Sequence, residues 1–396
     1  MRIKTILLML ILLLFSSCSN YKELNNVGIV VGMGIEYIPI ENQYEVTFEI
    51  INPSAVATQI GSQGVPALAG TEKGRTISEA ARKVTKKFSR TNIYSQVQLI
   101  VIGEKLAKEK SINFIFDVFE RDSKIRVNIP VVIARGSTVT DLLENIPSLD
   151  KFPPQSIIGK LDNYSNLLGA NQITVMHEVI TNLSSKGKDP VISGVTLEDK
   201  KPSHVSLDNT TTLDASYDII NGLGIFHQGK LVGWMDDPNS RSVQMINNNI
   251  KETNIQVKCD KKNVFDSMVL FRFRSKVDIK MIKNVPHINI KVTTIGHFDE
   301  VLCNDSLDRA SILTKYEKKG EKEIKKIILG GIKDSQKLGA DVFGFGDKFH
   351  TSNPKEFNKY VKDVSKWDDL YKKAVVKVDV QYTINNVGMR KKPYPY

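Results

Sequence analysis

The chain has 396 residues, of which 41% are hydrophobic and 25% are charged, and its formal net charge is +11 at pH 7. This length predicts two or three domains, and the composition is sufficient for ordinary hydrophobic cores. The basic residues are scattered and are not interleaved with aromatic residues, which argues against a nucleic-acid-binding protein.

The N-terminus has the organisation of a secretory signal. Arg2 and Lys4 precede the apolar residues 6–15, and two serines then precede Cys18. A helix of that many apolar residues is only about 15 Å long, roughly half the hydrocarbon thickness of a bilayer. The segment therefore predicts a signal peptide over residues 1–17 and not a membrane-spanning helix.

The position of Cys18 resembles the bacterial lipobox. Ser16 and Ser17 fit that pattern, whereas Phe15 stands where leucine is commoner. The cysteine is therefore predicted to be the lipid attachment site, carrying a thioether-linked diacylglycerol. The alternative is an ordinary signal peptide with a chance cysteine, but no A-x-A cleavage site lies nearby. No later segment approaches the length of a membrane span.

Residues 18–136 are predicted to form an N-terminal α+β domain. Apolar and polar side chains alternate over residues 44–50, which is typical of a half-buried strand. Residues 53–74, rich in small residues and Gln, are predicted to be a long loop. Thr76 and Glu79 have the spacing of a capping box. Three further elements complete a two-layer arrangement of helices on a sheet: residues 99–102, 112–119 and 127–134.

Residues 137–250 are predicted to form a middle α+β domain. Pro153 and Pro154 are expected to break the chain between two helices. Residues 200–217 are rich in Ser, Thr and Asp and are predicted to be an insertion or loop. The remaining predicted elements are helices over residues 140–146 and 175–183 and strands over residues 190–197 and 224–234, the last split by a turn at 228–230.

Residues 251–388 are predicted to form a C-terminal α+β domain. Strand signals at residues 254–258, 268–274 and 287–293 precede a long amphipathic helix. The clearest strand in the chain closes the domain at residues 376–384. Residues 389–396 are predicted to be a disordered basic tail. The predicted fold class is therefore α+β, with three consecutive domains, each a mixed or antiparallel β-sheet packed with helices.

The residue types that catalyse reactions or hold cofactors form no recognisable pattern. The six histidines include no pair at helical i, i+4 spacing, and no HExxH, CxxC or GxSxG motif occurs. The glycine pairs at 32/34, 222/224 and 344/346 lack the strand–loop–helix context of a phosphate-binding loop. We therefore predict no catalytic, cofactor-binding or metal-binding residues.

Two acidic pairs have both a functional and a structural interpretation. Asp236 and Asp237 could hold calcium, but the following Pro238 and Asn239 are typical of a turn. The pair at residues 368–369 could act as paired carboxylates, but adjacent residues on a helix point about 100° apart. A turn and a helix surface are the favoured interpretations.

Cys259 and Cys303 remain once Cys18 is assigned to lipid. An exported protein can form disulfides, yet the sequence alone does not place these two residues within bonding distance. Both the bonded and the free state stay open.

The densest run of lysines covers residues 315–326, where Glu317, Glu321 and Glu323 are interleaved. A solvated helix face accounts for this pattern. Attraction to anionic lipid headgroups is the functional alternative, and it suits a protein tethered by lipid.

Blocks of sequence along nearly the whole mature chain resemble the Ger(x)C family of spore germination lipoproteins. Cys18-Ser-Asn-Tyr-Lys-Glu-Leu-Asn, followed by Gly28-Ile-Val-Val-Gly-Met-Gly-Ile-Glu, is similar to the mature start of that family. The closing block is the most specific, with Gly339-Ala-Asp-Val-Phe-Gly-Phe-Gly followed by Pro354 and Trp367. Further matching blocks lie at residues 102–107, 119–126, 224–234 and at the end of the final strand, residue 388.

Three positions depart from the family pattern. Ser19 stands where tryptophan is usual, Glu36 where aspartate is usual, and Gln96 where histidine is common. None of these departures touches an activity, because the family has no recognised catalytic set. They indicate a divergent member.

The resemblance implies the C subunit of a GerA-type nutrient germinant receptor. Such a protein is expected on the outer face of the spore inner membrane, held through lipid on Cys18 and working with a multi-span A subunit and a permease-like B subunit. The assembled receptor senses small nutrients and triggers ion release and germination. Whether this subunit binds a nutrient itself stays open. Residues 56–68 are a candidate partner contact, with a disordered loop as the alternative.

Two other classes of exported protein compete with this interpretation. A solute-binding lipoprotein of an importer would have long alternating β and α units with parallel strands, whereas this chain has neighbouring strands of period two. A wall-modifying enzyme would need a nucleophile or carboxylate constellation at a recognisable spacing. The prediction is therefore a non-catalytic receptor subunit, with the importer lipoprotein as the alternative.

Overall fold

The computed structural model describes residues 26–51, 67–121, 125–145, 147, 149–198, 217–260, 263–303, 305–388 and 390. The predictions for the signal peptide, for Cys18, for nearly all of the loop at 56–68 and for nearly all of the C-terminal tail fall outside these residues. Among the helices described, none is both long and apolar enough to cross a membrane.

Within the described part of the chain, ten strands form the first sheet, and they come from both the first and the middle predicted domain. Eight lie in the order β10-β9-β8-β6-β5-β1-β2-β3, while β4 pairs with β1 and β7 with β6. The central strands β1, β5, β6 and β8 are parallel, and antiparallel strands flank them. The bounds are β1 Val27–Ile38, β2 Gln43–Ile51, β3 Ala67–Gly74, β4 Thr91–Ile93, β5 Leu99–Gly103, β6 Pro130–Ala134, β7 Thr174–Val175, β8 Val191–Leu197, β9 Asp218–His227 and β10 Lys230–Met235.

Helices cover both faces of this sheet. Residues of α1 (Ile77–Val84), α2 (Glu104–Glu109), α3 (Asn113–Arg121) and α6 (Met176–Ser184) are buried on one face. Residues of α4 (Val139–Glu144) and α5 (Pro153–Leu168) are buried on the other. The expected two-layer packing is therefore corrected to three layers. The uninterrupted apolar run of β5 indicates this three-layer packing, because a strand without alternating polar residues is buried on both faces of the sheet.

Two local predictions are also corrected. Pro153 and Pro154 do not interrupt the chain between helices but start α5, where a missing N–H costs no hydrogen bond inside the helix. The loop predicted over residues 53–74 ends earlier, because Ala67–Gly74 forms β3, paired antiparallel with β2. Its small residues have low strand propensity, and the pairing with a neighbour overrides that preference.

The predicted start of α1 at Thr76 is confirmed, although the Glu79 carboxylate accepts from the backbone of Arg75 and not from that of Thr76. The Thr76 hydroxyl accepts a hydrogen bond from the backbone of Glu79 at 3.1 Å and caps α1. The register of β1 and β2 shifts between Val30 and Gly32, which is a β-bulge at the first glycine pair.

The second sheet has four strands in the order β11-β12-β13-β14, with β14 parallel to β13 and the other pairs antiparallel. The 29-residue helix α8 packs on the sheet through residues that include Tyr316, Ile324 and Ile328. The predicted α+β class is thus confirmed. The bounds are α7 Arg241–Ile246, β11 Glu252–Lys258, β12 Phe265–Ile282, β13 Val285–Glu300, α8 Ala310–Leu338, α9 Phe345–Ser352, α10 Pro354–Tyr360, α11 Val364–Lys372 and β14 Val375–Asn386.

The same apolar core joins the two sheets. Val191 and Ile225 of the first sheet belong to the same buried cluster as Met268 and Ile290 of the second. The boundary predicted at residue 136 falls between strands of one sheet. The domain bounds 18–136, 137–250 and 251–388 stay a prediction.

Cys259 and Cys303 form a disulfide, with their Cα atoms 5.5 Å apart. The buried carboxylate of Asp266 lies beside it and accepts hydrogen bonds from the backbone of Leu302 at 2.7 Å and of Cys303 at 2.8 Å. The bond closes a chain segment with a sequence separation of 44 residues onto the edge of the second sheet.

Replacing both cysteines, as Cys259→Ala with Cys303→Ala, is expected to lower the free energy of unfolding by about 2–4 kcal/mol, because the crosslink restricts the unfolded chain. Urea unfolding followed by circular dichroism measures this change. Peptide mapping gives the control, since the peptides with these two cysteines should stay linked until a reductant is added. Finding both as free thiols in the native protein would contradict the bond.

Candidate functional site

Buried and partly buried side chains, most of them polar, meet between the two sheets. We call this cluster the joint, and it consists of Asp189, His227, Asp341, Trp367 and Asp368. The first two come from the first sheet, just before β8 and at the end of β9. The others come from the segment after α8 and from α11. The joint therefore connects the chain segments that carry the two sheets.

Asp341 lies at the centre of the joint and is only 1% exposed. Its Oδ2 accepts hydrogen bonds from the backbone N–H of Gly346 at 2.8 Å and from the Trp367 indole N–H at 3.0 Å. The first bond occupies a free N–H in the first turn of α9, and the second fixes the orientation of the indole ring. One carboxylate oxygen therefore positions both α9 and α11.

The backbones of Asp189 and Asp341 complete the connection. The N–H of Asp189 donates to the Asp341 carbonyl at 2.9 Å, and the N–H of Asp341 donates to the Asp189 carboxylate at 2.9 Å. Close by, the Ser185 hydroxyl donates to the Asp347 carboxylate at 2.7 Å. These bonds connect the chain segments that carry the two sheets, and they lie partly buried beside the apolar core.

Two positions of the closing block require glycine because of their backbone conformation or their close packing. Gly344 has a positive φ of 66° at the start of α9, a conformation that side chains other than glycine rarely adopt. A Cβ atom on Gly346 would lie 2.5 Å from the Cα of Gly187 and 2.7 Å from the indole nitrogen of Trp367. Backbone conformation therefore requires glycine at residue 344, and close packing requires it at residue 346.

His227 lies between two carboxylates. Its Nδ1 is 3.4 Å from Asp189, and its Nε2 is 3.4 Å from Asp368. Asp368 is 5% exposed, whereas its neighbour Asp369 is exposed. The expectation that these adjacent aspartates point in different directions is confirmed. Asp368, however, is part of a buried cluster and not of a helix surface.

Burial sets the protonation of this cluster. It raises the pKa of Asp341 to about 7, which outweighs the opposing effect of the N–H donors of Gly346, Phe345 and Trp367. Burial also raises the pKa of Asp368 to about 6, against the opposing charge of His227. The pKa of His227 is raised mainly by its hydrogen bond to Asp189. All three groups therefore hold a proton more tightly in the folded protein than in the unfolded chain.

Asp189, His227 and Asp368 also place possible metal ligands within 4.8 Å of one another. The two nitrogens of His227 face different carboxylates, which is the arrangement of a protonated imidazole between two acids. Sequence analysis missed this trio because its members are far apart in the chain.

A second polar cluster ties β10 to the centre of the first sheet. The Glu104 carboxylate accepts hydrogen bonds from the Trp234 indole at 3.0 Å and from the backbone of Gly136 at 2.9 Å. The Arg135 guanidinium lies over the Trp234 ring, 4.4 Å from its centroid, and pairs with Asp236. Glu104 and Trp234 belong to the blocks at 102–107 and 224–234.

The turn predicted at residues 236–239 is confirmed. Both of its carboxylates have cationic partners, since Asp236 pairs with Arg135 and Asp237 forms a two-pronged ion pair with Arg241. Charge at this turn is therefore balanced by arginine within the fold.

The fold and the joint define a two-sheet α+β protein whose buried polar side chains hold its sheets together. Comparison with known proteins gives its family. Residues 20–197 match the family described as "Spore germination protein N-terminal domain", and residues 221–388 match "Spore germination B3/ GerAC like, C-terminal". The chain belongs to the Ger(x)C family of spore germination proteins.

The sequences of individual relatives match this chain over nearly their full length. Spore germination protein KC of Bacillus subtilis (strain 168) is 28% identical over 395 residues, which covers 98% of this chain and 96% of that protein. Spore germination protein B3 of the same organism is 24% identical, with coverages of 95% and 96%. The crystal structure of the GerBC protein superposes with a TM-score of 0.54 at 19% identity, over 93% of this chain and 100% of that one. The fold is therefore shared with GerBC.

The joint is expected to weaken as pH rises. A group whose pKa is raised on folding stabilises the protein fully below its ordinary pKa and loses that effect as pH passes its folded pKa. The free energy of unfolding should therefore fall from about pH 4, near the ordinary pKa of the two aspartates, to about pH 7, the folded pKa of Asp341. Asp341→Asn keeps an acceptor oxygen but has no proton to lose. The slope of its free energy of unfolding against pH should therefore be smaller, by an amount that corresponds to up to one proton.

Urea unfolding at a series of pH values measures this slope. Asp369→Asn removes an exposed carboxylate next to the joint and serves as the matched control, with a slope like that of the unmodified protein. Identical slopes for Asp341→Asn and the unmodified protein would show that Asp341 does not retain the proton.

Proposed function

We propose that this protein is the non-catalytic, lipid-anchored C subunit of a nutrient germinant receptor, acting with A and B membrane subunits at the outer face of the spore inner membrane. The observation that carries the proposal is the match to two spore germination families over residues 20–197 and 221–388. Relatives matched over nearly their whole length are spore germination proteins as well, which supports a shared function.

A scaffold role is supported by the chemistry of the most family-specific residues. Asp341, Gly346 and Trp367 are buried and bind one another, so they are not available to a substrate. A catalytic group would instead need access to a reacting molecule. These residues therefore contribute by fixing the two sheets, and partner subunits would meet one rigid surface.

Lipid on Cys18 would place that rigid protein beside its partners. One acyl chain binds a bilayer only marginally, whereas two give durable attachment. Confinement to the membrane plane also raises the effective concentration of the protein for the A and B subunits.

A pull-down from spore inner membranes tests the proposal. The tagged protein should carry diacylglycerol on Cys18 and recover A and B subunits. Cys18→Ala should lower the recovered amount of both partners, normalised to the bait, by at least about tenfold, because the gain in effective concentration is lost. Mass spectrometry of the N-terminal peptide and of the partners gives both readings.

Ser19→Ala is the matched control, since it changes the neighbouring residue and leaves the thiol in place. Recovery of an importer's permease and ATPase would make the protein a solute-binding lipoprotein instead. Full membrane retention and partner recovery by Cys18→Ala would contradict the anchoring role.

A further inference from the structure

The solvent face of α8 carries a row of lysines. We call it the lysine stripe, and it consists of Lys315, Lys318, Lys322, Lys325 and Lys333. At 3.6 residues per turn these side chains fall within an arc of roughly 80° and extend over about 27 Å of the helix. The buried residues of the helix, such as Ile324 and Ile327, lie on the opposite side. The stripe is therefore central on the exposed face.

Two of the three glutamates interleaved with these lysines in sequence do not share their face. Glu317 accepts a hydrogen bond from the backbone of Ile384 at 3.0 Å, and Glu321 accepts one from Tyr382 at 3.3 Å. Both carboxylates are turned towards the outer edge of β14, where they occupy N–H groups that the sheet leaves free. The helix thus separates its charges, with two acids inward and the lysines outward.

Most of the lysine stripe has no counter-ion within the fold. Lys315 pairs with Asp260 at 2.9 Å. For Lys318, Lys322, Lys325 and Lys333, which are exposed, no described residue provides an ion-pair partner. Like charges at helical spacing repel one another, so the stripe creates a positive potential that an anionic surface would relieve.

The N-terminal end of the stripe also has the shape and chemistry of a headgroup contact. A shallow cleft of about 440 Å³ is lined there by four lysines and two hydroxyl residues: Ser311, Thr314, Lys315, Lys318, Lys319 and Lys322. Ammonium and hydroxyl groups are the donors that phosphate oxygens accept. The lining suits a phosphate group near the surface.

We propose that the lysine stripe docks the protein on anionic phospholipid headgroups, with α8 parallel to the bilayer. The identity of the membrane rests on the proposed function, but the contact itself requires only anionic lipid. Each lysine near such a surface strengthens binding by about fivefold at physiological salt. Seven residues lie between Cys18 and Asn26, so the chain from one to the other spans at most about 28 Å, and one tether sets no orientation. The stripe supplies that orientation.

Lysine acetylation on vesicles tests the contact without any partner protein. The lipidated full-length protein is bound to vesicles of phosphatidylcholine, with or without phosphatidylglycerol, and treated with an acetylating reagent. Mass spectrometry should show stripe lysines reacting at least about threefold more slowly on the anionic vesicles, with the protection lost at high salt. Exposed Lys355 and Lys362 should react equally on both.

A charge-reversed variant gives the specific control. Lys318→Glu, Lys322→Glu and Lys325→Glu together should abolish the protection of the remaining Lys315 and Lys333. The matched variant reverses three exposed lysines of another region, Lys355→Glu, Lys359→Glu and Lys362→Glu, and should keep it. Both variants change the net charge equally, so only the position of the charge differs.

Equal acetylation of the stripe on both kinds of vesicle would overturn the proposal. Protection found only in spore membranes that hold the receptor would also overturn it, because the stripe would then face a protein. Neither outcome changes the recovery of A and B subunits, so failure here is distinct from failure of the proposed function.

Discussion

A buried carboxylate, that of Asp341, is the interaction on which the arrangement of the two sheets depends. Its Oδ2 accepts the N–H groups of Gly346 and Trp367, while its backbone exchanges hydrogen bonds with Asp189 across the joint. Removing a partner from such a site leaves buried polar groups unpaired, which costs about 1–3 kcal/mol for each group. This geometry explains the residues of the closing block. Its glycines leave room for the close contacts, and the indole N–H of Trp367 donates to the carboxylate.

The long helix α8 serves the fold and the proposed membrane contact together. Its apolar side packs on the second sheet, and Glu317 and Glu321 bind the free edge of β14. An edge strand covered in this way is less open to pairing with another chain. Because these acids face inward, Lys318 and Lys322 are left without local partners. Protection of the edge and exposure of positive charge are thus two results of one charge pattern.

Strong local periodicity made part of this structure predictable. The amphipathic helix α8, the alternating strand β14 and the cap at Thr76 follow from spacing alone. The joint was not predictable from spacing, because His227 and Asp368 have no partner nearby in sequence and meet only through the sheet topology. The helix beginning at Pro153 was missed because proline stops a helix inside but is favoured at its first turn. Membership of the family was predictable, since its specific residues are contiguous in the closing block.

The joint is tested most directly by hydrogen exchange at the amide of Gly346, measured beside Ile290 and Val292 in the centre of β13. If Asp341 locks the sheets into one body, all three amides open only through global unfolding, and their protection should agree within about tenfold. Exchange of Gly346 at a rate orders of magnitude faster, close to that of the exposed loops, would mean that the joint opens locally. The two sheets would then not behave as one rigid unit.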